Sequence, residues 1–432
     1  MLRNLVPALG ALALCSAAPA QEIAKGLYLD GWVDTVFSVV NQPNYIPTAA
    51  AFSQQDASTD FYAKASLKVG WNVTDRVKTK INLWYNNGDA AFAGATTAGD
   101  NFYMREAYIA VDAGNGITWT VGKFINHLGW TSAEPTGLFR VNPGIIASGA
   151  ITGFYGGPDP IGTTIGWANA GGDFAGLVSI TNGFYRGKDG LNSFPVGGSV
   201  DNGSIQAKND LGLGLDLTFN FLKDKASNVN LEMAWDQHSS TPVTAPNATW
   251  TTKPGYVYQY GLNTTLKPGG KDGALMVGGE VIYKVSQSED RDLYSSTRHN
   301  REDLAWGLLA NFALETSTPM SVTAAFNQVN PFFGGHGGNS FYANFVGNDP
   351  NGQNFTQYWT YRGAVVNELA LAVLTNPFKD SNFGLNFEIA HTLVEGHTVT
   401  PNAPSNPFQG QATREPGNNQ TTISIEAIAV IP

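Results

Sequence analysis

The chain has 432 residues, and charged residues make up only 14% of it while glycine reaches 49 residues and aromatics 12%; about 25% charged is usual for a soluble protein. With 25 basic against 35 acidic residues the net charge is −10, which excludes the basic surface that nucleic-acid binding requires. An apolar fraction of 42% and a mean hydropathy of −0.15 are too low for a helical membrane protein, and past the N-terminus no apolar run reaches the roughly 20 residues of a spanning helix.

The first residues read as an address. Arg3 supplies a positive start, Leu5 to Leu14 an apolar stretch, and Ala18-Pro19-Ala20 a small-x-small cleavage site before Gln21, the pattern of a secretory signal peptide. We expect residues 1–20 to be removed between Ala20 and Gln21, leaving 21–432 as one domain. Leu14 before Cys15 argues against lipidation, and cleavage takes the only cysteine with it, so no disulfide or thiol chemistry is expected.

Beyond residue 26 one pattern repeats: an apolar residue at every second position for about ten residues, the period of a strand. In 61–72, Phe61, Ala63, Ala65, Leu67, Val69 and Trp71 share one face and Tyr62, Lys64, Ser66, Lys68, Gly70 and Asn72 the other. After the tight turn Val73-Thr74-Asp75-Arg76, residues 77–86 alternate in the same way. The clearest case is Leu211 to Phe221, where Leu211, Leu213, Leu215, Leu217, Phe219 and Phe221 alternate with Gly212, Gly214, Asp216, Thr218 and Asn220. The same period predicts strands near 27–40, 61–72, 77–86, 102–112, 117–126, 160–168, 174–183, 209–222, 229–238, 255–266, 274–284, 303–314, 320–329, 367–375, 383–394 and 420–431, sixteen in all, with fourteen or eighteen open because 160–168 and 174–183 alternate poorly.

Connections alternate in length. Short turns fall at 73–76, 113–116, 169–173, 223–228, 267–273, 315–319 and 376–382; long loops fall at 41–60, 87–101, 127–159, 184–208, 239–254, 285–302, 330–366 and 395–419. An even number of long strands with both termini on the short-turn side is the pattern of an all-β, transmembrane antiparallel barrel. In lipid every backbone polar group must be bonded within the protein, so the sheet closes. A secreted sandwich or solenoid fits less well, because its strands are shorter and its faces carry more charge. Trp71, Trp119, Phe219, Phe221 and Phe383 fall near short-turn ends, and Tyr85, Trp235, Tyr256, Tyr258, Tyr283, Trp306 and Phe326 near long-loop ends, where interfacial girdles belong.

No catalytic residue is assigned, because no G-x-S-x-G, H-E-x-x-H, P-loop or dinucleotide fingerprint is present. A Ser/His/Asp set scattered in sequence stays open as an enzyme alternative. His127, His238, His299, His336, His391 and His397 are dispersed, though His391 and His397 could approach one another; Asn348-Asp349-Pro350-Asn351-Gly352 lacks the further acids of a calcium loop and reads as an Asx turn. No metal or cofactor is expected.

The inward faces carry the chemistry. Lys64, Lys68, Lys78 and Lys80 come from two adjacent strands and form a basic wall; the inward acids are Asp30, Asp34, Glu106, Asp216, Glu232, Asp236, Glu280, Glu368, Glu388 and Glu426. Four positive against ten negative charges predict a mild preference for cations. The third long connection, 127–159, is too long for a simple hairpin. It either folds into the lumen, placing Trp130, Glu134 and Arg140 at a constriction beside the lysines, or covers the mouth.

Near this loop the chain resembles the Gram-negative beta-barrel porins described as OmpL-like. The likeness runs from Arg105-Glu106-Ala107-Tyr108-Ile109 through Val121-Gly122-Lys123-Phe124, Gly129-Trp130 and Ala133-Glu134-Pro135 to Thr181-Asn182-Gly183-Phe184, roughly the first half. The resemblance implies an outer-membrane pore for small hydrophilic solutes. The expected partners are outer-membrane lipid and lipopolysaccharide, the barrel assembly machinery, and two further copies in a homotrimer. The end Ala429-Val430-Ile431-Pro432 departs from the terminal aromatic usual in bacterial barrels. The expected function is passive diffusion; a sugar-specific porin and a plugged structural or adhesive surface barrel are the alternatives.

Overall fold

The computed structural model describes residues 21–41, 57–87, 100–131, 134–147, 159–184, 211–238, 242–245, 248–251, 255–288, 299–330, 360–378, 381–400 and 419–431. Residues 1–20, expected above to be a signal peptide, most of the long connections, and with them Ala133, His336 and Asn348–Gly352, lie outside these residues, as do the side chains of His238, His299 and His397.

In chain order the wall consists of β1 (Leu27–Asn41), β2 (Ala57–Asn72), β3 (Val77–Asn87), β4 (Asp100–Gly114), β5 (Ile117–Lys123), β6 (Ile161–Ala168), β7 (Phe174–Thr181), β8 (Leu211–Phe221), β9 (Ser227–His238), β10 (Gly255–Leu266), β11 (Leu275–Ser288), β12 (His299–Leu314), β13 (Met320–Asn330), β14 (Thr360–Thr375), β15 (Phe383–Thr400) and β16 (Asn419–Ile431). Each strand pairs antiparallel with the next, and β16 returns to β1, from Thr421 opposite Asn41 to Ile431 opposite Gly31. The result is a closed sixteen-stranded antiparallel barrel, as the alternation predicted.

One piece of the closure was not expected. Gln21–Ala24 also pairs with β1, beginning with Gln21 opposite Leu29, where the pairing of β16 ends with Ile431 opposite Gly31. The edge of β1 is therefore met by two segments, Gln21–Ala24 and β16. A small hairpin, Pro242–Ala245 with Ala248–Thr251, forms a separate two-stranded sheet within the fifth long connection.

Alternation sorts side chains to two environments. Phe61 (68%), Leu308 (57%) and Leu369 (61%) are exposed on the outer wall, with Trp71, Trp119, Phe219 and Phe221 also outward near the short turns. Trp235 stacks on Tyr256 and Trp306 meets Phe326 nearer the long-loop ends. The inward face is polar, with Ser66, Asn82, Ser179, Asn230, Gln259, Asn263 and Asn311 all buried. Such groups are tolerated because they bond one another: Ser66 Oγ donates to Asn82 Oδ1 at 2.7 Å, and Asn311 Nδ2 to Thr323 Oγ1 at 2.8 Å.

Short turns are closed by local chemistry. Thr74 Oγ1 accepts from the N–H groups of Arg76 and Val77, and Asn169 Oδ1 from those of Asp173 and Phe174. At Asp173 the neighbouring Lys225 ammonium holds the carboxyl below its ordinary range. Strand ends differ most from the sequence pattern at β14, which begins at Thr360 rather than near 367, and at β15, which runs to Thr400 rather than 394; β5 instead falls short, stopping at Lys123 rather than near 126 because the chain turns inward at Phe124. Gly122 prepares that turn: its φ is +133°, and a Cβ there would lie 2.2 Å from the carbonyl oxygen of Ala107. Gly122→Val is expected to cost about 1–3 kcal/mol through backbone strain, read as a lowered urea midpoint of the folded barrel; an unchanged midpoint would show that β5 tolerates a side chain there.

Candidate channel interior

The described part of the third connection lies inside the barrel. Leu128, Leu138, Phe139, Arg140, Val141 and Ile146 are all buried, and the segment meets the wall at several places, three of them around Trp130, Glu134 and Arg140. At the first, the Gly129 N–H donates to Glu232 Oε2 at 2.7 Å and the Trp130 N–H to Glu280 Oε2 at 3.4 Å. The Trp130 indole N–H reaches Thr265 Oγ1 at 2.9 Å, and its ring fills the space over Gly278, where a Cβ would sit 1.9 Å from Cζ2. Glycine at 278 is therefore what admits the ring.

At the second contact Glu134 Oε2 lies 2.6 Å from Lys68 Nζ, while Asn82 Nδ2 donates to Glu106 at 2.9 Å. At the third, Arg140 is clamped between two strands. Its Nη1 donates to Glu368 Oε1 at 2.6 Å, and its Nη2 and Nε to the two oxygens of Glu388 at 2.8 and 3.2 Å, the bidentate geometry a guanidinium favours. Burial alone would lower the basicity of Arg140, but Glu368 and Glu388 outweigh it and hold the group above its ordinary value. Asn142 adds bonds to Glu388 and Ser424, and the one-turn helix α1 (Gly144–Ala147) packs Ile146 toward Gly307. An apolar cluster of Phe139, Met276, Leu309, Ala325, Ala370 and Ala390, with Trp130 against it, joins the segment to the wall.

The inward lysines stand on β2 and β3. Lys80 Nζ is 2.7 Å from Glu106, and Lys68 is also 3.7 Å from Asp30. Lys64 lies over the Tyr62 ring at 4.8 Å. Of the ten acids expected on the lumen faces, nine are buried, Asp34, Glu106, Asp216, Glu232, Asp236, Glu280, Glu368, Glu388 and Glu426; Asp30 alone keeps an accessible side chain, 37% exposed.

Alternation hid several participants. Arg105 belongs by count to the outer face of β4, yet it is buried inside, paired with Asp159 at 2.8 Å and stacked 4.1 Å over Trp84. A bulge explains it: Glu106 pairs with Asn82 and Met104 with Leu83, so Arg105 is the extra residue. The signal was legible, since Phe102 and Met104 share parity with Glu106 while the apolar residues Ala107, Ile109 and Val111 take the other. Asp159 and Asn142 carried no sequence signal, because loop residues have no period.

His127 stands between Ser179, 3.1 Å from Nε2, and Asp216, 2.9 Å from Nδ1. The order is that of a hydrolase triad, but Ser179 is fully buried on β7, whose backbone is bonded to β6 and β8. The serine offers no open face to a substrate; with Phe184 edge-on at 5.3 Å the imidazole ties the inward turn to the wall. His391 faces outward and bonds Thr421 at 2.9 Å. Among the described residues no group of three or more His, Cys, Asp or Glu side chains is arranged to hold a metal.

No family model and no curated protein matches the chain in sequence. Solved structures do match in shape. The outer membrane channel DcaP of Acinetobacter baumannii superposes with a TM-score of 0.54 at 12% identity, covering 95% of this chain and 99% of that one. An anion-selective porin from Comamonas acidovorans gives 0.53 at 11%, over 94% and 99%, and a trimer form of OmpT, an outer membrane protein of Vibrio cholerae, gives 0.52 at 9%, over 94% and 100%. The barrel shares its fold with outer-membrane porins. At these identities the likeness concerns architecture, and what it has in common with the resemblance seen in the sequence is the porin fold.

Arg140→Ala would leave Glu368 and Glu388 buried without their cation, and breaking such a pair costs about 3–5 kcal/mol. The expected result is a marked fall in the urea midpoint and faster proteolysis within 124–147. In a double-mutant cycle Glu388→Gln should be markedly less harmful in the Arg140→Ala background than alone; additivity would show that the two do not interact.

Proposed function

We propose that the protein is a porin of a Gram-negative outer membrane, passing small hydrophilic solutes and ions by diffusion. The observation that carries this reading is a closed barrel, apolar outside, that holds a charged chain segment across its polar interior. Inward charges that stay accessible, Lys64, Lys78 and Lys80 among them, suit a water-filled path rather than a sealed core. In this reading Asp30, Lys64, Lys68, Lys78 and Lys80 line the water path. Trp130, Glu134 and Arg140 fix the segment that narrows it, while the buried acids hold that segment and brace the wall.

The remaining features follow the same reading. Residues 1–20 direct export and are cleaved after Ala20, before Gln21; the barrel assembly machinery inserts the domain; the outer wall meets lipid and lipopolysaccharide. A homotrimer is supported by the trimer form of OmpT. Transport down a gradient consumes no cofactor and makes no bond.

Purified, folded protein added to a planar bilayer should give stepwise ionic conductance. Replacing residues 129–142 by a short Gly-Ser linker should raise unit conductance and admit larger neutral sugars in liposome swelling. A folded barrel that conducts nothing, with or without the segment, would refute the proposal.

A further inference from the structure

Resting on the channel reading, we propose that the interior selects anions, and that Lys78, Lys80, Lys68 and Lys64 form a stepped path for small carboxylates and phosphates. The count of charges by face favoured cations, but a solute meets only charges that water reaches. Here the two signs separate by depth. The acids Glu232, Asp236, Glu388 and Glu426 are at most 3% exposed, and each has nearby donors. Glu232 accepts from Gly129, Asn230 and Asn263, Glu388 from Arg140 and Asn142, Asp236 from the Phe184 N–H, and Glu426 from Asn386. Carboxylates sealed and bonded in this way attract passing cations little.

The lysines are placed differently. Lys78 is exposed, Lys64 is half-buried, and the side chain of Lys80 keeps 29% of its surface. Lys64 and Lys78 lie within ion-pair distance of no carboxylate among the described residues, and Lys68 and Lys80 each keep N–H groups to spare beyond their carboxylate contacts.

Register sets them in order. Lys78 stands opposite Asn72 and Lys80 opposite Gly70, Lys68 opposite Asn82, and Lys64 opposite Asn86. The first three ammonium groups therefore rise in two-residue steps of about 7 Å, and the fourth follows two steps higher. The two lower steps are shorter than the Debye length of about 8–10 Å at ordinary salt, so an anion leaving Lys78 or Lys80 already feels the next site, whereas the gap from Lys68 to Lys64, about 14 Å, exceeds it and sets Lys64 apart as a separate site at the far end of the file.

Carboxylates also face this file. Asp30 lies beside Lys68, Glu134 caps Lys68 from the inner segment, Glu106 neutralises part of Lys80, and Asp34 and Glu426 both act on Lys64 but are only 2% and 3% exposed. Tyr62 on β2 and Tyr108 on β4, opposite Lys80, add hydroxyl-bearing rings. The accessible balance is positive.

The test is the reversal potential of single channels in a tenfold KCl gradient, for the full protein and for the double substitution Lys64→Gln with Lys78→Gln. Neither lysine is needed for an ion pair, and folding is checked by circular dichroism. Wild-type channels should pass chloride over potassium by a factor of about five, and the double variant should lose most of that ratio. Replacing chloride by phosphate should leave a measurable anion current. Open channels that favour potassium, or a variant with unchanged selectivity, would overturn this proposal and leave the porin reading intact. Should the folded barrel not conduct at all, it is the porin reading itself that fails.

Discussion

A bilayer offers no water to unpaired peptide groups, and this constraint shapes the rest of the molecule. It requires the sheet to close, and the closure is met at a seam where β16 and the short segment Gln21–Ala24 share the edge of β1. It also limits charge to one face. The low charge of the chain, 14%, is thus the consequence of giving every second wall position to lipid.

Closing sixteen strands creates an interior too wide for wall side chains alone to fill, and the chain itself fills part of it. The segment after β5 is held by contacts that differ in kind: backbone N–H groups on Glu232 and Glu280, an ammonium on Glu134, a guanidinium fork between Glu368 and Glu388, and an aromatic ring over Gly278. Because these fall on β2, β9 to β11 and β14 to β15, they brace the wall across its diameter. Much of the inward acid is thereby structural. A residue count by face treats Asp30 and Glu388 alike; the fold puts one in water and the other against an arginine.

Much of this was legible in advance. Period two, clearest in Leu211 to Phe221 and in the strands from 61 to 86, pointed to sixteen strands with fourteen or eighteen open, and to most of the facing, since in a closed sheet one apolar stripe leaves a single register that keeps lipid on one side. It failed where periodicity fails. Strict alternation around the inward Glu106 would turn Arg105 outward, yet a bulge adds one residue and buries it, and the parity switch between Met104 and Ala107 is its trace. The hairpin at Pro242–Ala245 and the Gln21–Ala24 strand are too short to show alternation.

The sequence by itself determined the barrel, because the alternation of lipid-facing and inward residues is a local property repeated along every strand. Only the tertiary structure decided which charges are sealed and which are open to water. That choice depends on where Glu134, Arg140 and the Gly129 N–H land, on strands 66 to 248 residues away in the chain. No local pattern encodes such distances; they exist only once the barrel has closed around its own loop.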